Sequence, residues 1–211
     1  MTVASWDTPC RRTALVRAYS DFIIRGLNLH LHTHYASPAP SRTIVITYMS
    51  RRPSKEWPEK KYCDSQNSFF LCELWANFGE RKLGRMIRND PEVVAALKSL
   101  EKKTYPNVDR IIVNDVDYNV LSFEEQILTD LKTDIMIGPH GAGLMHNIFM
   151  RDRAALIELF IDGSGVNRHF HNLANWFGRT YNGVSASNPI SINSLLHDVE
   201  NAIQNIDTSK Y

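Results

Sequence analysis

The 211-residue sequence has no apolar run of transmembrane length, and residues 1–20 are too polar for a signal peptide, so the sequence as it stands carries no address. It also lacks a charge surplus. Twenty-four Lys and Arg against 23 Asp and Glu leave a net charge of +1, which argues against an extended nucleic-acid footprint. Local clusters such as Arg51-Arg52 and Lys60-Lys61 remain as anion sites. Cysteine is scarce: Cys10, Cys63 and Cys72 are too few for a disulfide scaffold. Cys63 and Cys72 either close a small loop in an oxidising compartment or stay as two free thiols. No Asn-x-Ser/Thr sequon, internal repeat or low-complexity tract is present. What remains is an ordinary globular composition, 43% hydrophobic and 22% charged, long enough for one well-buried domain or two small ones.

The chain is organised around residues 133–160. Asp134-Ile-Met-Ile-Gly138 reads as a short buried parallel strand. Pro139 breaks the ladder, His140-Gly141-Ala142-Gly143 makes a tight turn, residues 144–150 read as a helix, and residues 154–160 as the next strand. A strand, a glycine turn and a helix N-terminus make an anion cradle, because small residues let a ligand approach the backbone and free N–H groups and the helix dipole favour negative charge. No Gly-Lys-Ser/Thr follows, so this is no P-loop, and the third glycine of a dinucleotide fingerprint is missing. Two readings of the glycines stand side by side: a phosphate-type ligand, or packing alone.

Residues 11–27 read as a helix, with Leu15, Val16, Tyr19, Phe22, Ile23 and Leu27 at helical spacing. His30, His32 and His34 follow. An HxH pair can hold a catalytic metal in some hydrolases, but further His and Asp ligands on later strands are not evident, so a histidine-rich surface loop is expected. Residues 36–41 read as a linker. Strands are expected over 43–49, 109–116, 134–138, 154–160 and 180–184, and helices over 92–102, 122–131, 144–150, 167–177 and 191–205. The second of these helices opens on the capping box Ser122-Phe-Glu-Glu125, and the last presents Leu195, Leu196, Val199 and Ile203 to the core. Alternating strands and helices predict an α/β fold, a doubly wound Rossmann-like parallel sheet. We place a lead-in helix and linker at 1–41 and the sheet domain at 42–211, with a long aromatic loop inserted at 53–80. Ser50-Arg51-Arg52 lies at a strand's carboxyl end, where ligands bind in such sheets. Glu158, a carboxylate at the end of a buried strand, needs a partner. A ribose hydroxyl or an arginine would serve, the plainer case being a salt bridge to Arg51, Arg85 or Arg151.

Five ordered motifs carry a family likeness: Ile46-Thr-Tyr-Met-Ser-Arg51, Arg85-x-Ile-x-Asn89, Phe123-Glu-Glu-Gln126, Asp134-Ile-Met-Ile-Gly-Pro-His-Gly-Ala-Gly-Leu144 and Ile157-Glu158-Leu159. The sequence resembles glycosyltransferase family 61, a family of N-acetylglucosaminyl-, xylosyl- and arabinosyltransferases, over roughly residues 10–181. The resemblance implies a GT-B architecture, with this chain equivalent to its carboxyl-terminal, nucleotide-sugar-binding half. It implies an inverting transfer from a UDP-sugar to a protein or glycan hydroxyl, without a metal or other cofactor, in the endoplasmic reticulum or Golgi lumen. The general base is then expected from the amino-terminal half.

Carried onto this sequence, the resemblance assigns Arg51 and Arg85 to the pyrophosphate, where guanidinium groups match phosphate oxygens. It assigns His140, with the N–H groups of Gly141, Ala142 and Gly143 and the start of the helix at Leu144, to phosphate or sugar. Asn89 and Gln126 are candidates for fixing these loops, against capping a helix and facing solvent respectively, and Glu158 for the ribose. His140 is the one candidate catalytic side chain. The connection between Arg51 and Arg85 is longer here than in the family, so the loop at 53–80 is expected to form an acceptor-side wall.

Overall fold

Five β-strands run parallel in the order β2-β1-β3-β4-β5: β1 (Thr43–Met49), β2 (Arg110–Val116), β3 (Ile135–Pro139), β4 (Ala155–Ile161) and β5 (Thr180–Ala186). This computed structural model describes residues 13–29, 42–51, 86–161 and 167–206. Cys10, Cys63, Cys72, the three histidines at 30, 32 and 34, Arg85 and the loop at 53–80 lie outside the described residues. β3 and β4 are buried at every position, whereas the edge strands β2 and β5 are only partly buried. The continuous apolar runs of the two central strands follow from that position, since helices cover both faces.

The α-helices are α1 (Ala14–Gly26), α2 (Asp90–Ser99), α3 (Phe123–Asp130), α4 (His169–Phe177) and α5 (Ile192–Asn205). α2 and α5 pack with the sheet in one apolar cluster around Ile44, Ile46, Val93, Leu97, Ile157, Leu195 and Val199. α3, α4 and the short helix after β3 lie on the other face, with α1 outside them. From β1 the chain crosses to β2 on one side, then to β3 on β1's other side, and continues outward to β4 and β5. That reversal makes the sheet doubly wound, as the sequence predicts, and places a topological switch between β1 and β3. Among the described residues no helix is long and apolar enough to cross a membrane.

Local signals act where expected. Ser122 and Glu125 form a reciprocal capping box at α3, and Asp90-Pro91 opens α2, tied to β1 by the Tyr48 hydroxyl donating to Asp90 at 2.7 Å. Three details differ from the expectation. The segment after the glycine turn is a 3-10 helix, Ala142–Phe149, rather than an α-helix. Eight residues at a rise of about 2.0 Å reach roughly 16 Å, where an α-helix would reach about 12 Å, and this segment is anchored at both ends. Arg179, 5% exposed, donates to the carbonyls of Asn147, Met150 and Arg151 at its end, which meets the need of helix-terminal acceptors. Secondly, α1 buries Ser20 and Ile24, with Val16, Ile23 and Leu27 packed beside them, while Leu15, Tyr19 and Phe22 face outward. Finally, Glu158 is the fourth of β4's seven residues, not its end.

Candidate functional site

The carboxyl ends of the strands gather most of the sequence-predicted residues. Arg51, exposed, leaves β1 two residues past its end, and the His140-Gly-Ala-Gly143 turn leaves β3, the next strand in the sheet. They therefore flank the topological switch, where the connections run in opposite directions and where open α/β sheets bind ligands. His140 continues the ladder by donating its N–H to the Leu159 carbonyl at 2.9 Å. The first hydrogen bond of the 3-10 helix runs from the Leu144 N–H to the Gly141 carbonyl, so the N–H groups of Gly141, Ala142 and Gly143 precede its i to i+3 pattern.

The glycines also have a packing role. A Cβ at residue 143 would stand 2.6 Å from Met49 Cε, and one at residue 138 would stand 3.2 Å from Leu144 Cδ2 and from Met49 Cβ. The turn thus sits tightly on the end of β1. Its backbone at Gly141 is extended (φ 165°) and makes no conformational demand for glycine. Close approach of two segments is what these positions require.

Asn89 and Gln126 both hold loops on this edge. Asn89 stands at the N-cap position of α2, but its side chain does not cap. It accepts from the Ile190 N–H at 2.8 Å and donates to the Ile190 carbonyl at 2.9 Å. With Asn188 donating to the Met86 carbonyl and accepting from the Arg88 N–H, this clamps residues 86–89 onto the loop after β5. Gln126 does not face solvent: its amide donates to the carbonyls of Tyr118 and Leu121 and fixes the loop after β2.

Glu158, expected to meet the ribose, sits in the middle of β4. It is fully buried, and its oxygens are engaged within the protein: Oε1 by His140 Nδ1, and Oε2 by the Tyr181 hydroxyl at 2.7 Å. Arg151, one of the arginines considered for it, instead binds Asp134 at the start of β3, 3.2 Å away. In register, Glu158 is flanked by Gly138 on β3 and Gly183 on β5, which leaves space for a long acidic side chain among three adjacent strands. The His140 ring stacks on Phe160 with centroids 5.4 Å apart and meets the edge of Phe170, so its orientation is held on both sides. Burial, then the hydrogen bond and charge of Glu158, push the Tyr181 phenol far above its ordinary range, so it remains a protonated donor.

Sequence reasoning missed a second cluster of the same chemistry. Asp130, fully buried at the end of α3, pairs with His146 Nδ1 at 2.7 Å and accepts from the Tyr118 hydroxyl. The His146 ring is enclosed edge-on by Tyr118, Phe123 and Phe149. Burial raises Asp130 to about 6 despite the opposing pull of His146, Tyr118 and Arg179. Spacing could not reveal it, because the three residues come from a short 3-10 turn after β2 (Tyr118–Val120), the end of α3 and the 3-10 helix after β3. A groove of about 830 Å³ along the outer edge of β2, lined by Lys98, Asp115, Glu125 and Lys132 among others, contains none of the predicted binding residues.

Comparison with known proteins is consistent with this arrangement. The family model described as Glycosyltransferase 61 matches residues 22–157. The chain is 41% identical over 159 residues to the EGF domain-specific O-linked N-acetylglucosamine transferase of Mus musculus, covering 74% of this chain and 23% of that protein. The Bos taurus protein of that name is 37% identical over 180 residues (83% and 26%), and the Drosophila melanogaster one 30% over 159 (74% and 22%). The chain thus spans about a quarter of the length of these relatives. With five motifs in order on a doubly wound sheet and a family match over most of its length, the chain belongs to glycosyltransferase family 61.

Proposed function

We propose that this chain is the donor-binding part of a glycosyltransferase that moves a sugar, N-acetylglucosamine or a pentose such as xylose, from a UDP-sugar to a protein or glycan hydroxyl. The observation that carries this reading is the topological switch between β1 and β3, flanked by Arg51 and by the backbone N–H groups of residues 141–143, which precede the bonding pattern of the 3-10 helix. Both favour a diphosphate: the arginine by charge and planar donors, the turn by backbone donors at a helix start. Arg85, outside the described residues, is assigned to the same diphosphate by the family likeness, and two guanidinium groups would stabilise a departing UDP without a metal ion. We place the transfer in the inverting class. The acceptor and its general base belong to the rest of a GT-B enzyme acting in the endoplasmic reticulum or Golgi lumen.

Calorimetric titration with UDP in EDTA tests the donor site. The expected result is saturable binding, weakened at least tenfold by Arg51→Ala and by Arg85→Ala. Undiminished affinity in both variants, or no binding at millimolar UDP, would remove this reading. Binding without any transfer from UDP-N-acetylglucosamine or UDP-xylose would reduce the chain to a nucleotide-binding module.

A further inference from the structure

β2 ends the sheet, and among the described residues no strand pairs with its outer edge. Ladder parity fixes which backbone groups that edge presents. Val116 turns its carbonyl to β1, where the Ser50 N–H donates to it at 3.0 Å. Asn114 and Ile112 therefore face β1 as well, and Ile111, Val113 and Asp115 turn their N–H and C=O groups outward. Such a row is a template for a further strand. β2 is also the stronger strand former of the two sheet edges, since Ile111-Ile112-Val113 is β-branched throughout whereas β5 carries Asn182 and Gly183. The groove of about 830 Å³ runs along this edge, with Lys98 of α2 and Leu128 of α3 among its walls, so there is room beside β2 for another chain.

Val113, the middle one of the three outward residues, is engaged by side chains. Its N–H donates to Glu101 Oε1 at 2.7 Å, and its carbonyl accepts from Lys98 Nζ. The two side chains form an ion pair at 3.5 Å, partly exposed, on the last turn of α2 and the 3-10 turn that extends it, Leu100–Lys102. A carboxylate oxygen beside an ammonium thus offers the acceptor and the donor that one residue of an added strand would offer. We propose that Lys98 and Glu101 form a latch that stands in for such a strand and keeps β2 from pairing with β2 of a second copy of this chain.

The latch sits where a second copy would meet the first. Antiparallel pairing of two β2 strands about a two-fold axis through Val113 sets that residue opposite its own counterpart, and the two would exchange both hydrogen bonds. A register slipped by two residues sets Val113 opposite Ile111 and needs the same N–H and C=O groups. Blocking this one residue therefore obstructs every pairing centred on the β-branched run. The inference is independent of the donor site and of the nucleotide proposed for it.

Opening the latch in Lys98→Ala/Glu101→Ala tests this, read by sedimentation velocity and amide hydrogen exchange over a range of protein concentrations. At low concentration the Val113 N–H is expected to exchange about tenfold faster than in the wild type, the size of one lost hydrogen bond. At high concentration the variant is expected to associate beyond the wild type, and the N–H groups of Ile111 and Val113 to gain protection as it does. The swapped pair Lys98→Glu/Glu101→Lys separates the latch from charge alone. It keeps the net charge and the ion pair, but turns a donor toward the Val113 N–H and an acceptor toward its carbonyl, so it is expected to behave as the alanine variant does. Wild-type sedimentation in either variant, or association that leaves exchange at Ile111 and Val113 unaltered, overturns the proposal.

Discussion

Two clusters in this molecule have the same composition, a buried carboxylate shared by an imidazole Nδ1 and a tyrosine hydroxyl, and they differ in what holds them. Glu158, His140 and Tyr181 come from three neighbouring strands or their ends, so ladder register positions each member. Asp130, His146 and Tyr118 come from α3, the 3-10 helix after β3 and the short 3-10 turn after β2, so the cluster itself holds those elements together. The first adjoins the His140 turn beside the topological switch and is fixed by the sheet. The second is interior glue. Similar chemistry thus sits beside the proposed donor site in one place and inside the packing between helices in the other, and strand register against helix packing separates the two.

The sharpest way to break this comparison is to truncate each carboxylate. Asp130→Ala strands a buried imidazole and phenol without an acceptor, and is expected to cost about 3 kcal/mol of stability in urea denaturation while leaving UDP affinity within about twofold. Glu158→Ala is expected to cost a comparable amount and to weaken UDP binding as well. A loss of UDP affinity in Asp130→Ala that matched the Glu158 variant would erase the distinction.

A smaller effect is expected from the phenols. Tyr118→Phe removes one hydrogen bond to a carboxylate, about 1.5 kcal/mol, and should leave the His140 imidazole spectrum unchanged, whereas Tyr181→Phe should alter it. The burial that keeps the Tyr118 phenol, like that of Tyr181, far above its ordinary range means that neither ionises to confuse this test.

The mildest probe is pH. Asp130 releases its proton at about 6 when folded and near 3.8 when unfolded. Between those values the folded chain holds a proton that the unfolded chain has lost. Asp130 therefore adds stability at the acid side of this window, and that contribution declines as pH rises and is gone above about 6. Unfolding measured from pH 4 to pH 7 should show this decline in the wild type and lack it in Asp130→Asn. Equal pH profiles would show that burial does not penalise the ionised form.

Much of the architecture was legible before any coordinates. Thr43–Met49 and Ala155–Ile161 are β-branched and apolar enough to be read as covered strands, and the capping box at Ser122 marks the start of α3. Arg51 and the turn at His140 were legible as candidates because strand ends followed by small or basic residues are local patterns. Three other matters were not local. The split of α1 into a buried face around Ile24 and an outward face with Leu15, Tyr19 and Phe22 depends on what α1 lies against, since both faces are apolar. The 3-10 form of Ala142–Phe149 depends on the anchors at its ends, above all the Arg179 guanidinium 30 or so residues on. Asn89 sits where a capping residue belongs, but its amide is taken by Ile190 about a hundred residues away.

By itself the sequence determined the strands, the turns and the doubly wound class, because periodicity, caps and small-residue turns act over a few neighbouring residues, while its five ordered motifs carried the family likeness. Only the tertiary structure decided that Glu158 answers to His140 and Tyr181, and that Asp130 answers to His146 and Tyr118. Strand register and helix packing bring those side chains within hydrogen-bonding distance, and no spacing along the chain encodes a contact made across it.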